Sequence, residues 1–231
     1  MSNMVKTPEN LLKIMKAAAM GDICFSHIVE YIKVGMTELE VAEEIEMTLM
    51  SLGAEGLSFP TICVSGTNSA LPHGEPSLKV IEEGDFVTMD FGAVVEGYCG
   101  DMTRTIAMSH VSQEQQKVYD IVLEAQLAGL AACKAGVSCK SVDDVSRGII
   151  TAYGYGEYYI HGTGHGVGTQ VHEPPTLNGK SSEVLEEYMP VTIEPGIYIP
   201  DKFGVRIEDL AIITEFGIIN TVKSQKSLII I

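Results

Sequence analysis

An α+β architecture, two related ααββ halves whose mostly antiparallel strands are flanked by helices, follows from two observations. Helix signals and strand signals come in two rounds along the 231 residues, and part of the first round is repeated in the second. Thr7-Pro8-Glu9 opens the first helix with a capping hydroxyl and a proline at the first helical position, and Leu11, Leu12, Met15, Ala18 and Ala19 follow at helical spacing. Gly35 breaks that helix. Thr37-Glu38-Leu39-Glu40 is a capping box, after which Leu39, Ala42, Ile45 and Leu49 form the inward stripe of a second helix ended by Gly53. Residues 61–65 and 86–107 are rich in Val, Ile, Thr and Tyr, and the longer stretch folds back around Glu96-Gly97 as a hairpin.

The round then begins again. Ser112-Gln113-Glu114-Gln115 caps a helix running to Gly136, Ser141 opens another running to Gly154, and from Tyr158 onward the chain is glycine-rich and strand-like. Gly35-Met36-Thr37 answers Gly136-Val137-Ser138. VIEEGDFVTMDFG from Val80 lies against VLEEYMPVTIEPG from Val184 with six identities, which puts Glu194 at the place of Asp90. Leu71-Pro72-His73 corresponds to Gln170-Val171-His172, each histidine having a proline three residues on, Pro76 and Pro175. Halves related in this way pack about a pseudo-twofold axis, so Asp90 and Glu194 are expected on opposite sides of one cleft in a single domain. Residues 228–231, Leu-Ile-Ile-Ile, read as a closing edge strand or as an apolar tail pairing with another subunit.

Composition removes several function classes. With 45% hydrophobic and 20% charged residues the chain is ordinary globular protein, not disordered. Fifteen Lys and Arg against 31 Asp and Glu give −16 at pH 7, a charge that repels phosphate backbones and anionic membranes. No nucleic-acid or membrane partner is expected. The five cysteines are odd in number, far apart and without a C-x-x-C pair, which indicates neither a disulfide framework nor a zinc ribbon. The N-terminus has no basic-then-apolar secretion pattern, and no apolar run approaches the roughly 18 residues that span a bilayer. A cytoplasmic protein is the expectation.

The chemistry gathers at acids and histidines. With a hairpin midpoint between Val95 and Glu96, Asp90 and Asp101 stand directly across from each other, about 4.5–5.5 Å apart at Cβ. Two such carboxylates repel unless a cation or proton lies between them; a bulge would instead stagger them. Glu194 lies in the apolar run Val191-Thr192-Ile193-Glu194-Pro195, where a charge is costly to bury unless it binds something. In Val205-Arg206-Ile207-Glu208, alternation puts Arg206 and Glu208 on one face, and Glu208 stands where Asp101 stands in the first half. His161-Gly162-Thr163-Gly164-His165-Gly166-Val167-Gly168 carries its histidines on extended or looped backbone, open to close approach by a ligand. His27 and His110 fall outside these motifs. Four carboxylates and an imidazole carry the charge two divalent cations would neutralise, and the thiol-free, oxygen-rich set argues for Mn²⁺, with Co²⁺, Fe²⁺ or Zn²⁺ as alternatives. Paired ions of this kind suit hydrolysis.

These residues resemble the pita-bread metallopeptidases, the family of methionine aminopeptidase, aminopeptidase P and Xaa-Pro dipeptidase, over nearly the whole chain. The resemblance implies the pita-bread fold and five metal ligands: Asp90 and Asp101 in MDFGAVVEGYCGDMTRT, His165 in HGTGHGVG, Glu194 in TIEPGIY and Glu208 in GVRIED. ALPHGEPS, EPGIYIP and GVRIED resemble the proline-specific branch, which implies cleavage of Xaa-Pro bonds in dipeptides or short peptides. It further implies that Asp101 and Glu208 bridge two metals around a hydroxide, with Asp90 completing one site and His165 and Glu194 the other. Glu194 is then also the proton acceptor, His73, His161 and His172 hold substrate and intermediate, and Arg206 orients the acids and histidines. Arg104 either does the same from the first half or forms a surface ion pair. Methionine aminopeptidase, and a peptide-binding relative without catalysis, are the alternatives. The proline-specific enzymes carry an additional N-terminal domain that roofs the site and helps form a dimer. Residues 1–231 are expected to be a single catalytic domain without it, either as a fragment of a longer chain or as a protein that works unroofed; the latter implies a more open cleft and looser limits on substrate length, with a homo-oligomer compatible. Thr169-Gln170 departs from the apolar residue and acid those enzymes carry before the histidine.

Overall fold

The structure, a computed structural model, describes residues 4–231; the first three residues of the N-terminal stretch lie outside the described residues. The first half comprises α1 (Pro8–Tyr31), α2 (Glu38–Ser51), β1 (Gly56–Leu57), β2 (Ile62–Ser65), β3 (Phe86–Phe91), β4 (Ala93–Val95), β5 (Tyr98–Cys99) and β6 (Met102–Ala107). The second comprises α3 (Gln113–Ala132), α4 (Cys139–Ala152), β7 (Gly164–Gly166), β8 (Glu173–Leu177), β9 (Pro190–Ile193), β10 (Gly196–Ile199), β11 (Phe203–Arg206), β12 (Asp209–Thr214) and β13 (Gly217–Asn220). Among the described residues no helix is long and apolar enough to cross a membrane.

The helices start where a side chain satisfies their first free amides. Thr7 accepts from the Asn10 amide at 3.3 Å, and Thr37 with Glu40 and Ser112 with Gln115 are reciprocal capping boxes. The fourth helix begins at Cys139, not Ser141, because Ser138 accepts from the Ser141 amide and is itself the cap. All four helices stop short of the expected glycines. Gly35 and Gly136 instead occupy the turns that follow, at φ +96° and +86°, a conformation that disfavours any other residue. The inward stripes also shift. Ile14 and Ala17 face inward on α1 and Val41 on α2, while Leu12 and Leu39 are exposed. Glu38 is wholly buried beside them because Ser65, Asn68 and Ser77 all donate to its carboxylate.

The duplication is visible as matched contacts. Thr37 bridges Val80 and Ser138 bridges Val184; Ile81 N donates to Met36 O at 2.8 Å, as Leu185 N does to Val137 O at 2.8 Å. The strands pair antiparallel in four ladders, β2-β3-β6, β13-β12-β9-β7-β8, β10-β11 and β1-β4-β5, and a Thr103–Glu208 bridge joins the halves. Residues 229–231 close along β6 through a parallel bridge between Ala107 and Ile230. α1 and α2 cover the first-half strands through Ile28, Ile45, Val87 and Met89, while α3 and α4 cover the second through Val122, Ile150, Val191 and Ile197.

One register differs from expectation. Glu96 and Gly97, at φ +49° and +75°, form the two-residue turn that matches strand twist, and Val95 pairs with Tyr98. Asp90 is therefore opposite Thr103, not Asp101. Asp101 is displaced diagonally by two residues, an even shift that leaves both acids on one face.

Candidate metal centre

The acids come from strand ends. Asp90 lies near the end of β3, Asp101 just ahead of β6, Glu194 directly after β9, and Glu208 between β11 and β12. His165 is the middle residue of β7, where the pairing with β8 slips between His165 and Gly166, an irregularity of the kind that re-aims a side chain. A Cβ on Gly164 would lie 1.9 Å from Thr192 O, and one on Gly166 2.3 Å from Pro174 O. The glycine run thus lets three strands pack closely; room for a ligand, the expected reason, is not what demands these two glycines.

One ligand-type atom each from Asp101, His165 and Glu208 lies within 4.8 Å of the others. His165 Nε2 is 3.6 Å from Asp101 Oδ2 and 3.2 Å from Glu194 Oε1. Asp90 is outside that trio. Arg206 Nη2 holds its Oδ2 at 2.7 Å, while its Oδ1 is buried with no hydrogen-bond partner. All five residues line a cleft of about 510 Å³ together with His73, His161, His172 and Arg206. His27 and His110 are elsewhere, the former paired with Glu44 at 2.6 Å.

Arg206 organises the buried side of the cleft. Its Nη1 donates to Tyr198 Oη at 2.9 Å, and the Tyr198 hydroxyl donates to His161 Nε2 at 2.8 Å. Its Nε donates to Thr103 Oγ1 at 3.0 Å, and the Thr103 hydroxyl donates to Glu208 Oε2 at 2.6 Å. The arginine therefore touches Asp90 directly and reaches Glu208 and His161 through one hydroxyl each. In the second half Thr192 Oγ1 accepts from His165 N and donates to Glu194 Oε1, both at 3.0 Å. His165 Nδ1–H donates to Gly166 O at 3.1 Å, which turns Nε2 toward the acids. His172 stands edge-on to His165, ring centroids 4.3 Å apart. Arg104 is no surface residue: it is wholly buried, pairs with Asp209 at 2.7 Å and donates to Glu208 O at 2.5 Å, so it holds the backbone of an acid and no site carboxylate.

Burial and mutual repulsion dominate the electrostatics. Asp101 is raised well above the carboxylate range by burial and then by Glu208 and Asp90. Glu208 is raised by burial and by Glu194 and Asp90. Asp90 is raised by burial despite Arg206. Burial also opposes charge on Glu194 and His165, but their contact prevails: Glu194 falls to about 2 and His165 rises. Four carboxylates thus share one permanent cation, Arg206. An orphaned carboxylate oxygen, this deficit of positive charge and an imidazole nitrogen turned into the cluster together fit divalent ions.

The pattern defining metallopeptidase family M24 matches residues 13–215. The chain belongs to that family. A Xaa-Pro dipeptidase of Pyrococcus furiosus is 45% identical over 225 residues, 97% of this chain and 65% of that protein. Among solved structures, a Xaa-Pro dipeptidase from Bacillus anthracis superposes with a TM-score of 0.98 at 49% identity, over 99% of this chain and 64% of the other. An X-Pro aminopeptidase from Thermotoga maritima MSB8 superposes at 0.96 and 42% identity, over 99% and 65%. The chain therefore has the pita-bread fold and spans about 65% of the length of the curated relatives it matches. The five carboxylate and histidine positions read from sequence all line one cleft, and three of them, Asp101, His165 and Glu208, bring ligand-type atoms within 4.8 Å of one another. Thr103, Thr192 and Tyr198 escaped that reading, although Thr192 repeats Thr88 of the duplicated strand and Tyr198 stands in EPGIYIP.

Proposed function

We propose that this chain hydrolyses the N-terminal Xaa-Pro bond of dipeptides or short peptides, using two divalent ions held by Asp90, Asp101, His165, Glu194 and Glu208. The observation that carries the reading is the convergence of Asp101, His165 and Glu208 within 4.8 Å, beside an unpartnered Asp90 oxygen, in a cleft that also holds three further histidines. The names of the P. furiosus and T. maritima relatives support the proline preference. Mn²⁺ is the favoured ion, with Co²⁺, Fe²⁺ or Zn²⁺ as alternatives. Bound there, the ions supply an activated water and polarise the carbonyl before proline.

The chain's own residues do the rest. Glu194, ionised beside His165, takes up the water's proton. His73, His161 and His172 hold the substrate and stabilise charge developing on the attacked oxygen. Arg206 keeps Asp90, Tyr198 and Thr103 in place. Phe59, Pro60, Ile62 and Val171 give the cleft an apolar wall that suits a proline ring or the side chain before it. The 231 residues act as one catalytic unit, and five free, buried cysteines agree with a reducing cytoplasm.

Hydrolysis of Ala-Pro and Met-Ala, with Mn²⁺ and after chelation, tests the reading. Chelator-sensitive cleavage of Ala-Pro is the expected result. A preference for Met-Ala assigns the chain to removal of N-terminal methionine, and cleavage of neither leaves a peptide-binding relative.

A further inference from the structure

We infer that Asp143 and Arg147, a pair on α4 outside the cleft, are the positioning residues that set His161 for catalysis. The inference rests on the functional reading above, in which His161 handles substrate. His161 belongs to no strand; it lies in the segment between a short 3-10 turn at Gly156–Tyr158 and β7, so ladder hydrogen bonds do not fix it. Arg147 supplies what the ladder does not. Its Nη1 donates to Tyr159 O at 2.8 Å and its Nη2 to His161 O at 2.6 Å, and its guanidinium lies over the Tyr159 ring, 4.2 Å from the centroid.

Asp143 completes the clamp. Wholly buried, it accepts from Arg147 Nε at 2.8 Å and Nη2 at 2.9 Å, the forked geometry that fixes a guanidinium. Its Oδ1 also accepts from Thr163 N at 3.1 Å and Thr163 Oγ1 at 2.8 Å, while the Tyr159 hydroxyl donates to Thr163 Oγ1 at 2.7 Å. One i,i+4 pair thus grips residues 159, 161 and 163 of the chain. His165, only two residues further, is held differently, by β8, by β9 and by Thr192 Oγ1. Arg147 therefore acts on the substrate histidine directly, and the pair reaches the residues assigned to the metal only at second hand, where Thr163 O accepts from Glu194 N at 2.8 Å.

The first half contains a counterpart. Glu38, at the start of α2, accepts from Ser65, Asn68 and Ser77 and so brackets the loop that carries His73. In the duplicated frame Asp143 stands about one helical turn further along, so each half ties a histidine-bearing segment to its own second helix through a buried acid, although His73 answers His172 and not His161.

The test compares Arg147→Met and Arg147→Lys with the wild-type chain, reading kcat and KM on Ala-Pro with Mn²⁺, Mn²⁺ affinity by calorimetry, and the His161 side-chain NMR signal in metal-free protein. Arg147→Met is expected to lower kcat/KM by roughly 10- to 100-fold, with KM raised, because a misplaced binding group costs about that much. Its Mn²⁺ affinity stays at the wild-type value, and its His161 signal shifts. Arg147→Lys, a point charge that cannot fork across two carbonyls, falls between. An unchanged KM and an unmoved His161 signal would overturn the inference, as would Mn²⁺ stoichiometry and kcat falling together at constant KM, the mark of lost folded protein. If Arg147→Met does not fold, Arg147→Lys decides on the same readouts. If even the wild type cleaves no Xaa-Pro bond, the functional reading falls; the metal-free NMR comparison still decides the clamp, and an unmoved His161 signal rejects it.

Discussion

Replacing Arg104 by methionine probes the buried frame behind the centre. The guanidinium is wholly buried and donates to Thr103 O, Glu208 O, Asp209 Oδ1, Ser224 O and Gln225 O at 2.5–3.0 Å. Methionine refills much of the aliphatic volume and removes all five bonds. Breaking a buried ion pair by deleting one partner costs about 3–5 kcal/mol. Asp209 keeps Lys226 at 2.7 Å, Asn220 at 2.7 Å and Gln126 at 3.2 Å, so the low end applies, about 3 kcal/mol. Thr103 O still accepts from Glu208 N, and the carbonyls of half-buried Ser224 and exposed Gln225 are within reach of water. Glu208 O is the carbonyl left wanting, at about 1 kcal/mol more. A total near 4 kcal/mol lowers Tm by about 8–16 °C in a domain of this size. Urea and thermal unfolding of metal-free protein measure it, and an Asp209→Asn cycle isolates the ion pair through a coupling of about 1–3 kcal/mol. A loss below about 1 kcal/mol would refute the reasoning, because the arginine would then be replaceable by apolar packing.

Further outcomes follow from the same geometry. Asp101→Asn removes one of four crowded carboxylates, so metal-free protein gains thermal stability while Mn²⁺ binding and turnover fall more than about 100-fold; calorimetry and Ala-Pro hydrolysis check both signs. The raised pKa values of Asp101 and Glu208 mean that their contribution to stability is present below the unfolded carboxylate range and lost as pH rises through the folded values. Glu194, lowered to about 2, contributes in the opposite sense, with stability lost only as pH falls toward that value. Mn²⁺ takes the place of the missing protons, so its stabilisation of the protein is larger near pH 7.5 than near pH 5.5, by about 1 kcal/mol or more; equal shifts in Tm would contradict this. Tyr198→Phe leaves Arg206 on Asp90 but strips His161 Nε2 of its donor, and kcat/KM drops about tenfold at unchanged Mn²⁺ affinity in steady-state and binding assays.

How far the molecule was legible depended on whether a signal is repeated. The equivalence of Thr37 with Ser138, of Val80 with Val184 and of Asp90 with Glu194 was legible because whole segments recur, while the bridges that join Thr37 to Val80 and Ser138 to Val184 came from the structure. Features carried by single residues did not announce themselves. Thr103 and Thr192 read as ordinary strand formers until the pleat puts their hydroxyls between charged groups. Glu38 lost its place on the inward stripe to Leu39 because amphipathic spacing takes an acid as solvated, whereas hydrogen bonds from Ser65, Asn68 and Ser77 let it be buried. Arg104 failed the same way, since its partners Asp209, Ser224 and Gln225 are more than a hundred residues distant. The Asp90–Asp101 register slipped by two because the hairpin was centred one residue early, an error that preserves the face and so left the acids together.

Titration of chelator-stripped protein with Mn²⁺, following bound metal and Ala-Pro hydrolysis on one sample, bears most directly on the claim that acids from both duplicated halves hold a working pair of ions. The account predicts two equivalents bound per chain, activity returning with them, and loss of both signals in Asp101→Ala and in Glu208→Ala, one from each half. Full hydrolysis by stripped protein, or tight binding and turnover that survive either substitution, would contradict it.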